Sequence, residues 1–440
     1  MNKRIGRPDW EEYFGVVGMS EIVQLGTVVE INPESISKNF PHEEIEYIDI
    51  SSVGTGKLEG VKKISIKDAP SRAKRLVNDG DTILSTVRPN RRSFLYIKKS
   101  KLNTVVSTGF AVLRANEKID ERFLYYLINH QAFTDYLTNR AKGAAYPAVD
   151  NEIISNAEVP LPPLPTQHKI ASILSAYDDL IANNTRRIAI LEEMAQRIYK
   201  EWFVDFKYPG HENDEMVGSL YDGDVIEIPV GWKVGSVSDL YDVRSGFAFK
   251  SSHMKDFGDY GIVKIKNLQN NTVDLINIQF IEKENIDNRA WNFKLDDGDL
   301  LIAMTGAQVG KIGLMPKLNN IYLLNQRVGK FFPKDNKQKT SQFIYQVVQS
   351  TDFQKSVDNI AQGAAQPNIS GSGIGQIEII LPSIKYIEKY ENITQPLMDE
   401  IISLDYKNKN LSQTRDLLLP KLISGQVDVS ELDIDVGAEV

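Results

Sequence analysis

The chain has 440 residues, 42% of them hydrophobic and 25% charged, with a formal net charge of −8. That length suits two to three domains with cores of their own. The absence of cysteine excludes disulfides, Cys-type zinc sites and thiol catalysis together. The five histidines are scattered without ligand spacing, so no metal site is expected. No apolar run reaches the roughly 18 residues of a membrane span. The opening MNKRIGRPDWEEYF lacks the apolar core of a signal peptide, so the cytoplasm is the expected location.

In chain order, residues 1–161 read as a first globular domain of mixed strands and helix. Ile45–Ile50 alternates, Asp81–Ser85 follows a DG turn, and Val105–Leu113 is β-branched and apolar; all three predict strands. Arg122–Arg140 carries Phe123, Leu124, Leu127, Ile128, Phe133, Tyr136 and Leu137 and predicts one amphipathic helix. Residues 162–204 predict a long helix, because Pro162-Pro163 and Pro165 bar helix before it. Its seam of Ile170, Leu174, Tyr177, Ile181, Asn184, Ile188, Leu191, Ala195 and Ile198 alternates spacings of four and three, a heptad pattern. From Gln167 to Trp202 it would span about 54 Å. Residues 205–228, with Pro209-Gly210-His211-Glu212, read as an acidic linker.

Residues 229–381 then repeat the order of the first domain. Ile262–Leu268 predicts a strand, Asp299–Met304 a strand after a second DG turn, and Gln342–Phe353 the matching helix. Residues 382–428, bounded by Pro382, predict a second long helix, and 429–440 an acidic tail. The second seam is Tyr390, Thr394, Leu397, Ile401, Leu404, Asn408, Leu411, Arg415 and Leu418, with the spacing of the first. A shift of 220 superposes Gly143-Ala144-Ala145-x-Pro147 on Gly363-Ala364-Ala365-x-Pro367, and a shift of 218 superposes the two Asp-Gly-Asp turns. A repeat this long means two domains and two helices, not a solenoid. The expected fold is α+β, pseudo-two-fold, with the two helices either paired antiparallel or each packed on its own domain. The common register of the seams favours pairing.

Charge is unevenly spread. Between Lys57 and Lys101 stand 13 basic and four acidic residues, a local +9 on an acidic chain. Such a patch fits a nucleic-acid surface or a solvated charged face, and charge alone does not separate them. Arg88-Pro89-Asn90-Arg91-Arg92 gathers three guanidiniums and an amide on one loop, suited to base edges. Lys62, Lys63, Lys67, Arg72, Lys74 and Arg75 suit phosphates. In the second domain Lys264, Lys266, Asn267, Gln269, Gln308, Lys311, Gln326 and Arg327 are expected at corresponding places.

Catalytic motifs fail on inspection. Gly306-Ala307-Gln308-Val309-Gly310-Lys311 has three residues between its glycines and Ile312 after the lysine, so it is no nucleotide-binding loop. It can still offer backbone N–H groups and Lys311 to a DNA phosphate. The Asp-Gly-Asp segments lack the other ligands of a calcium loop and read as turns. The Pro-Pro at 162–163 is flanked by leucines, unlike the segment that grips a flipped base in an amino-methyltransferase.

The chain resembles a type I restriction–modification specificity subunit over essentially its whole length. The carriers are the two Gly-Ala-Ala-x-Pro segments, Leu161–Ile170 (LPPLPTQHKI), Ile198–Phe206 (IYKEWFVDF) and Leu417–Val427 (LLLPKLISGQV). The resemblance implies two target-recognition domains, each reading half of an asymmetric bipartite site in double-stranded DNA, separated by an antiparallel helical spacer that sets the gap. It implies a chain without catalysis or cofactor of its own. Two methyltransferase subunits would use S-adenosylmethionine to methylate adenine N6, and two motor–nuclease subunits using ATP and Mg can join. Tyr146 and Gln366 fall at the variable position of the Gly-Ala-Ala-x-Pro segments and are added as DNA contacts. The other readings are a pure assembly scaffold, a specificity subunit of a related stand-alone methyltransferase–nuclease system, and a methyltransferase with unrecognised motifs.

Overall fold

The computed structural model describes residues 20–334, 342–361 and 367–434. These divide into two compact units. One holds residues up to Ile181 and from Asn410 onward, the other Ala182–Lys409.

The first unit contains β1 (Glu21–Gln24), β2 (Val29–Ile31), β3 (Glu44–Ile48), β4 (Lys62–Ser65), β5 (Ala73–Leu76), β6 (Thr82–Ser85), β7 (Phe94–Tyr96), β8 (Thr104–Ser107) and β9 (Phe110–Ala115). Then come α1 (Glu121–Asn129), α2 (Gln131–Arg140), α3 (Asn151–Ser155), β10 (Glu158–Leu161) and the start of α4 (Leu164–Tyr199). One sheet has the order β2-β9-β6-β7, a second β4-β3-β8-β5, and β1 pairs with β10. Alternation explains why β9 is apolar throughout. Phe110 and Val112 face a core with Ile48, Ile83 and Val106, while Ala111 and Leu113 face another with Leu84, Phe94 and α1. A strand covered on both faces has no solvent side to place polar residues on.

The second unit contains β11 (Met216–Tyr221), β12 (Asp224–Pro229), β13 (Lys233–Ser236), β14 (Tyr241–Ser245), β15 (Tyr260–Val263), β16 (Leu268–Gln269), β17 (Thr272–Val273) and β18 (Gln279–Ile281). It continues with β19 (Leu300–Ala303), β20 (Ile312–Leu314), β21 (Tyr322–Leu324), β22 (Val328–Pro333), α5 (Gln342–Gln349), α6 (Thr351–Ala361), α7 (Gly371–Gly375), β23 (Glu378–Leu381) and α8 (Ile384–Ile423), which ends in the first unit. The repeat seen in sequence recurs in register. Thr82 pairs with Tyr96 and Leu300 with Leu314, each 218 residues on. Glu21 pairs with Leu161 and Lys233 with Leu381.

Several element boundaries differ from the sequence reading. Val105–Leu113 is two strands, β8 and β9, broken at Thr108-Gly109, where a side chain on Gly109 would strike Ile50. Arg122–Arg140 is two helices, because His130 turns to extended backbone and its Nδ1 accepts from the Ala132 N–H, restarting the helix. Gln342–Phe353 likewise breaks at Ser350, whose hydroxyl accepts from the Phe353 N–H at 3.2 Å. The strand expected over Ile262–Leu268 is β15 followed by a 3₁₀ turn at Ile265–Asn267. The stretch expected as a linker, 205–228, holds the fully buried Tyr208 and most of the β11–β12 hairpin. Tyr208 stacks on Trp232 with ring centroids 5.1 Å apart. Both Asp-Gly-Asp segments are turns: Gly80 and Gly298 take left-handed backbone, Asp79 accepts from the Ser100 N–H and Asp297 from the Leu318 N–H.

The seam is visible as burial. On α4, Ile170, Leu174, Asn184 and Ala195 are buried and Tyr177, Ile181, Ile188, Leu191 and Ile198 half-buried, with exposed neighbours between most of them. On α8, Leu404 is buried and Leu397, Ile401, Leu411 and Leu418 are half-buried. Met398, Leu419 and Leu422, outside the expected seam, are buried too. In each unit the two helical stretches pack on each other and on the globular part. In the first, Ile170 and Leu174 share a core with Leu419, Leu422 and α1. In the second, Asn184 meets Asn408, Arg187 meets Glu400, and the Tyr390 hydroxyl donates to the Ala195 carbonyl at 3.2 Å. Rising numbers on one helix meet falling numbers on the other, so the stretches run antiparallel.

Candidate nucleic-acid interface

The loop joining β6 to β7 is the best-defined candidate in the first unit. Arg88 opens it in left-handed backbone (φ 50°), Pro89–Arg91 form a 3₁₀ turn, and Arg92 closes it in left-handed backbone again (φ 55°). Such conformations cost an L-residue about 1–2 kcal/mol and need support from elsewhere. Arg88 finds it on the Gly-Ala-Ala-Tyr-Pro segment. Its N–H donates to the Pro147 carbonyl at 2.7 Å and its guanidinium to the Ala145 carbonyl at 3.2 Å. The guanidinium also lies 4.5 Å from the centroid of the Tyr146 ring. Lys142 and Ala148 exchange backbone hydrogen bonds across that segment, and Gly143 is left-handed, so Tyr146 is held out at the tip, 70% exposed.

Arg92 points the other way. Its guanidinium donates to the Asn129 carbonyl at 2.6 Å, to the Asn129 side chain at 2.8 Å and to Gln131, and lies over the Phe94 ring. Burial pulls its pKa down, with Asp416 and Asp135 opposing. Grouped with Arg88 and Arg91 by sequence, it acts in the structure as the bolt of the loop, and its forked donors are already engaged. Asn90 and Arg91 remain exposed.

Lys62, Lys63, Lys67, Arg72 and Lys74 are exposed, and none is in an ion pair among the described residues. They border one sheet on both sides. Lys62 and Lys63 lie on edge strand β4, Lys74 and Arg75 on edge strand β5. Four strands at ~4.8 Å separation put these edges about 14 Å apart. Arg75 is half-buried, burial lowers its pKa, and one terminal nitrogen has no hydrogen-bond partner among the described residues. Lys57, Lys98 and Lys101, from the same basic run, are paired with Glu59, Asp179 and Glu46.

The loop joining β19 to β20 repeats the left-handed ends of the first, with its 3₁₀ turn one residue earlier, at Gly306–Gln308. Gly306 and Gly310 are left-handed (φ 80° and 84°), and the Gly306 N–H donates to the Pro367 carbonyl at 2.8 Å. Gln308 is exposed at its apex and Lys311 half-buried at its end. Gln326 and Arg327 are exposed beside its base, where the Arg327 carbonyl accepts from the Met304 N–H. Of the second-domain candidates, only Gln308 and Lys311 lie on the counterpart of the Arg88 loop; Gln326 and Arg327 match Thr108 and Gly109. Lys266 is exposed on a separate turn and Lys264 is half-buried, donating to Gln279 at 2.7 Å, its pKa lowered by burial and by Lys266. Asn267 is corrected to a structural residue. Its side chain is 1% exposed, accepts from the Lys264 N–H and donates to the Asp274 and Asn277 carbonyls. Gln366 lies outside the described residues.

Sequence reasoning missed Asn129 and Gln131, the anchors of Arg92. Their helix-end positions carry no local signal for that role. Asp259, Glu282 and Glu284 approach within 4.8 Å of one another at the surface, where Lys255 already pairs with Glu282 at 3.3 Å. That arrangement reads as surface charge.

Comparison with known proteins decides the family. The family model described as "Type I restriction modification DNA specificity domain" matches residues 19–193 and 229–408, one match for each repeat. The chain belongs to this specificity family. Recognition of DNA is therefore its role, and specificity subunits of this class are non-catalytic. The chain is 24% identical over 480 residues to the type I restriction enzyme HindI specificity subunit of Haemophilus influenzae, covering 95% of this chain and 100% of that one. It is 26% identical over 427 residues to the MjaVIII specificity subunit of Methanocaldococcus jannaschii, covering 94% of each. The crystal structure of the type I restriction–modification S subunit from M. genitalium superposes with a TM-score of 0.57 at 15% identity. It covers 92% of this chain and 96% of that one, and supports the fold. No described helix is long and apolar enough to cross a membrane.

Proposed function

We propose that each unit of this specificity subunit reads one half of a bipartite, asymmetric site in double-stranded DNA. The observation that carries the reading is the repeated clasp. In both units an exposed two-strand loop with left-handed ends is tied by its first N–H to the proline of a Gly-Ala-Ala-x-Pro segment. The left-handed ends and the tie to the proline are kept while the side chains displayed between them differ, as two readers of different half-sites require. Lys62, Lys63, Lys67, Arg72 and Lys74 supply phosphate contacts, which carry affinity and salt dependence. Arg88, Asn90, Arg91 and Tyr146, with Gln308, Lys311, Gln326 and Arg327, face bases.

In this reading α4 and α8 set the separation of the half-sites and dock two methyltransferase subunits. Those partners would methylate adenine N6 in the cytoplasm with S-adenosylmethionine, and motor–nuclease subunits using ATP and Mg would complete the assembly. Methylation mapping tests it, in cells making this chain with its cognate methyltransferase subunit and in cells making the methyltransferase alone. A modified adenine within a two-part motif, present only with this chain, supports the reading. No new modification from a soluble, associated pair would leave an assembly scaffold as the better account. Adding one heptad to both helices, about 10 Å, is expected to widen the preferred gap by about 3 base pairs at 3.4 Å each. An unchanged gap would remove the spacer role.

A further inference from the structure

Asn90 and Gln308 occupy the same place on the repeated loop. Each stands two residues after the first left-handed position, Arg88 or Gly306, and two before the second, Arg92 or Gly310. The flanking ladders, Leu84 with Phe94 and Ile302 with Ile312, keep one offset of 218, so nothing is inserted between them. Across this stretch the other positions change chemistry: Arg88 to Gly306, Pro89 to Ala307, Arg91 to Val309, Arg92 to Gly310. The apex alone keeps a carboxamide.

Folding does not account for that. Both residues are exposed, and neither carboxamide has a hydrogen-bond partner among the described residues. A primary amide presents a donor and an acceptor side by side, the complement of the N6 donor and N7 acceptor that adenine shows in the major groove. Guanine shows two acceptors there, which suit arginine, and cytosine a lone donor, which suits a carboxylate.

We infer that Asn90 and Gln308 are specificity-determining residues that each read an adenine at the corresponding position of the two half-sites. The inference rests on the half-site reading above and deepens it by naming the base and the side chain.

The test uses the complete complex with its methyltransferase subunits on a library of randomised DNA, reading the bound or methylated motif. The wild-type motif is expected to carry one adenine in each half that depends on these residues. Asn90→Ala should relax that position in one half on the order of 10-fold or more, leaving the other half intact; Gln308→Ala should do the reverse. Asn90→Asp and Gln308→Glu, which keep the shape but remove the donor, should move the preference from adenine toward cytosine at the same positions. The untouched half serves as the folding control in each variant. If an alanine variant loses all binding, its isosteric carboxylate variant decides. A two-part wild-type motif unaltered by all four variants would overturn this assignment alone, as would a uniform loss of affinity with the motif unchanged. A wild-type complex with no two-part motif would overturn the half-site reading, and this assignment with it.

Discussion

At residue 88 the first unit puts an arginine into left-handed backbone; at the matching residue 306 the second puts a glycine. The same exchange recurs at Arg92 and Gly310. Both loops need left-handed backbone at these two positions, and the two units meet that need by different means. Glycine adopts it without steric cost, whereas each arginine is held there by long-range bonds, Arg88 by Ala145 and Tyr146, Arg92 by Asn129 and Gln131. The helix breaks differ in the same manner, capped by a histidine ring at 130 and a hydroxyl at 350. The polar contacts across the seam also differ: Arg415 pairs with Asp178 in the first unit, while the second has the neutral Asn184–Asn408 contact beside an exposed Arg187–Glu400 pair. At the loop ends and the helix breaks, equivalent geometry thus rests on chargeable groups in the first unit and on neutral ones in the second. The two units should fail under different conditions.

The largest contrast is expected at the helices. The Asp178 carboxylate accepts from Arg415 and from the Tyr126 hydroxyl, and both partners of the ion pair are about four-fifths buried. Arg415→Ala leaves that carboxylate buried without its cation and should destabilise the first unit by about 3 kcal/mol. Asn408→Ala removes two neutral contacts, with the Asn184 amide and, at 3.4 Å, the Thr185 hydroxyl, and should cost the second about 1 kcal/mol. Hydrogen exchange measured separately along α1 and α5 checks both. Equal losses would mean that charge makes no difference to how the seam is held.

Acid should separate the units next. Burial, reinforced by Arg92, lowers the His130 pKa from 6.5 to about 4. The unfolded chain takes up a proton near 6.5 and the folded chain only near 4. This group therefore costs the first unit stability as the pH falls between those values, and nothing further below. At about 1.4 kcal/mol per pH unit the total is up to about 3 kcal/mol. Protonation also replaces the Nδ1 acceptor that caps α2. The slope should appear in exchange protection of α1 and α2, vanish in His130→Gln, and be absent at the Ser350 break. A slope that survives His130→Gln would assign the acid sensitivity elsewhere.

Smaller effects belong to the loops. Gly310→Ala puts a Cβ on left-handed backbone, 3.0 Å from Gln354 Oε1 and Val357 Cγ1, and should cost about 1–2 kcal/mol in a denaturant titration. Arg92→Gly relieves the backbone but gives up the Asn129 and Gln131 bonds, and should still destabilise by about 1 kcal/mol. A stabilised Arg92→Gly variant would show that the arginine is held there by selection for contact with a ligand and not by its anchors. Tyr146→Ala should be the mildest for folding, below about 1 kcal/mol, since it removes one exposed ring from under Arg88. Its expected effect is instead a drop in DNA affinity, measured by fluorescence anisotropy at fixed salt.

Much of this architecture was legible. Asp79-Gly80-Asp81 and its repeat are turns because only glycine enters that backbone freely, and the heptad residues are the buried line of α4 because period alone decides a helix face. The breaks at His130 and Ser350 were not legible. Apolar residues continue through both, and it takes a cap acting across the break to stop one helix and start the next. The Asn267 amide was misplaced for a similar reason, because its partners Asp274 and Asn277 are a loop that closes over it only on folding.

The chain's own sequence determined what depends on spacing and composition: two repeats, two long amphipathic helices, turns at glycine, and the lack of any recognisable catalytic motif. The tertiary structure decided which members of a charged cluster are turned outward. Arg88, Arg91 and Arg92 are chemically alike and nearly adjacent. Arg92 is drawn inward because α1 and α2 bring a carbonyl and two side-chain amides to its guanidinium from 37 and 39 residues away. Local sequence sets the donors; the distant acceptors that satisfy them exist only once the chain is folded.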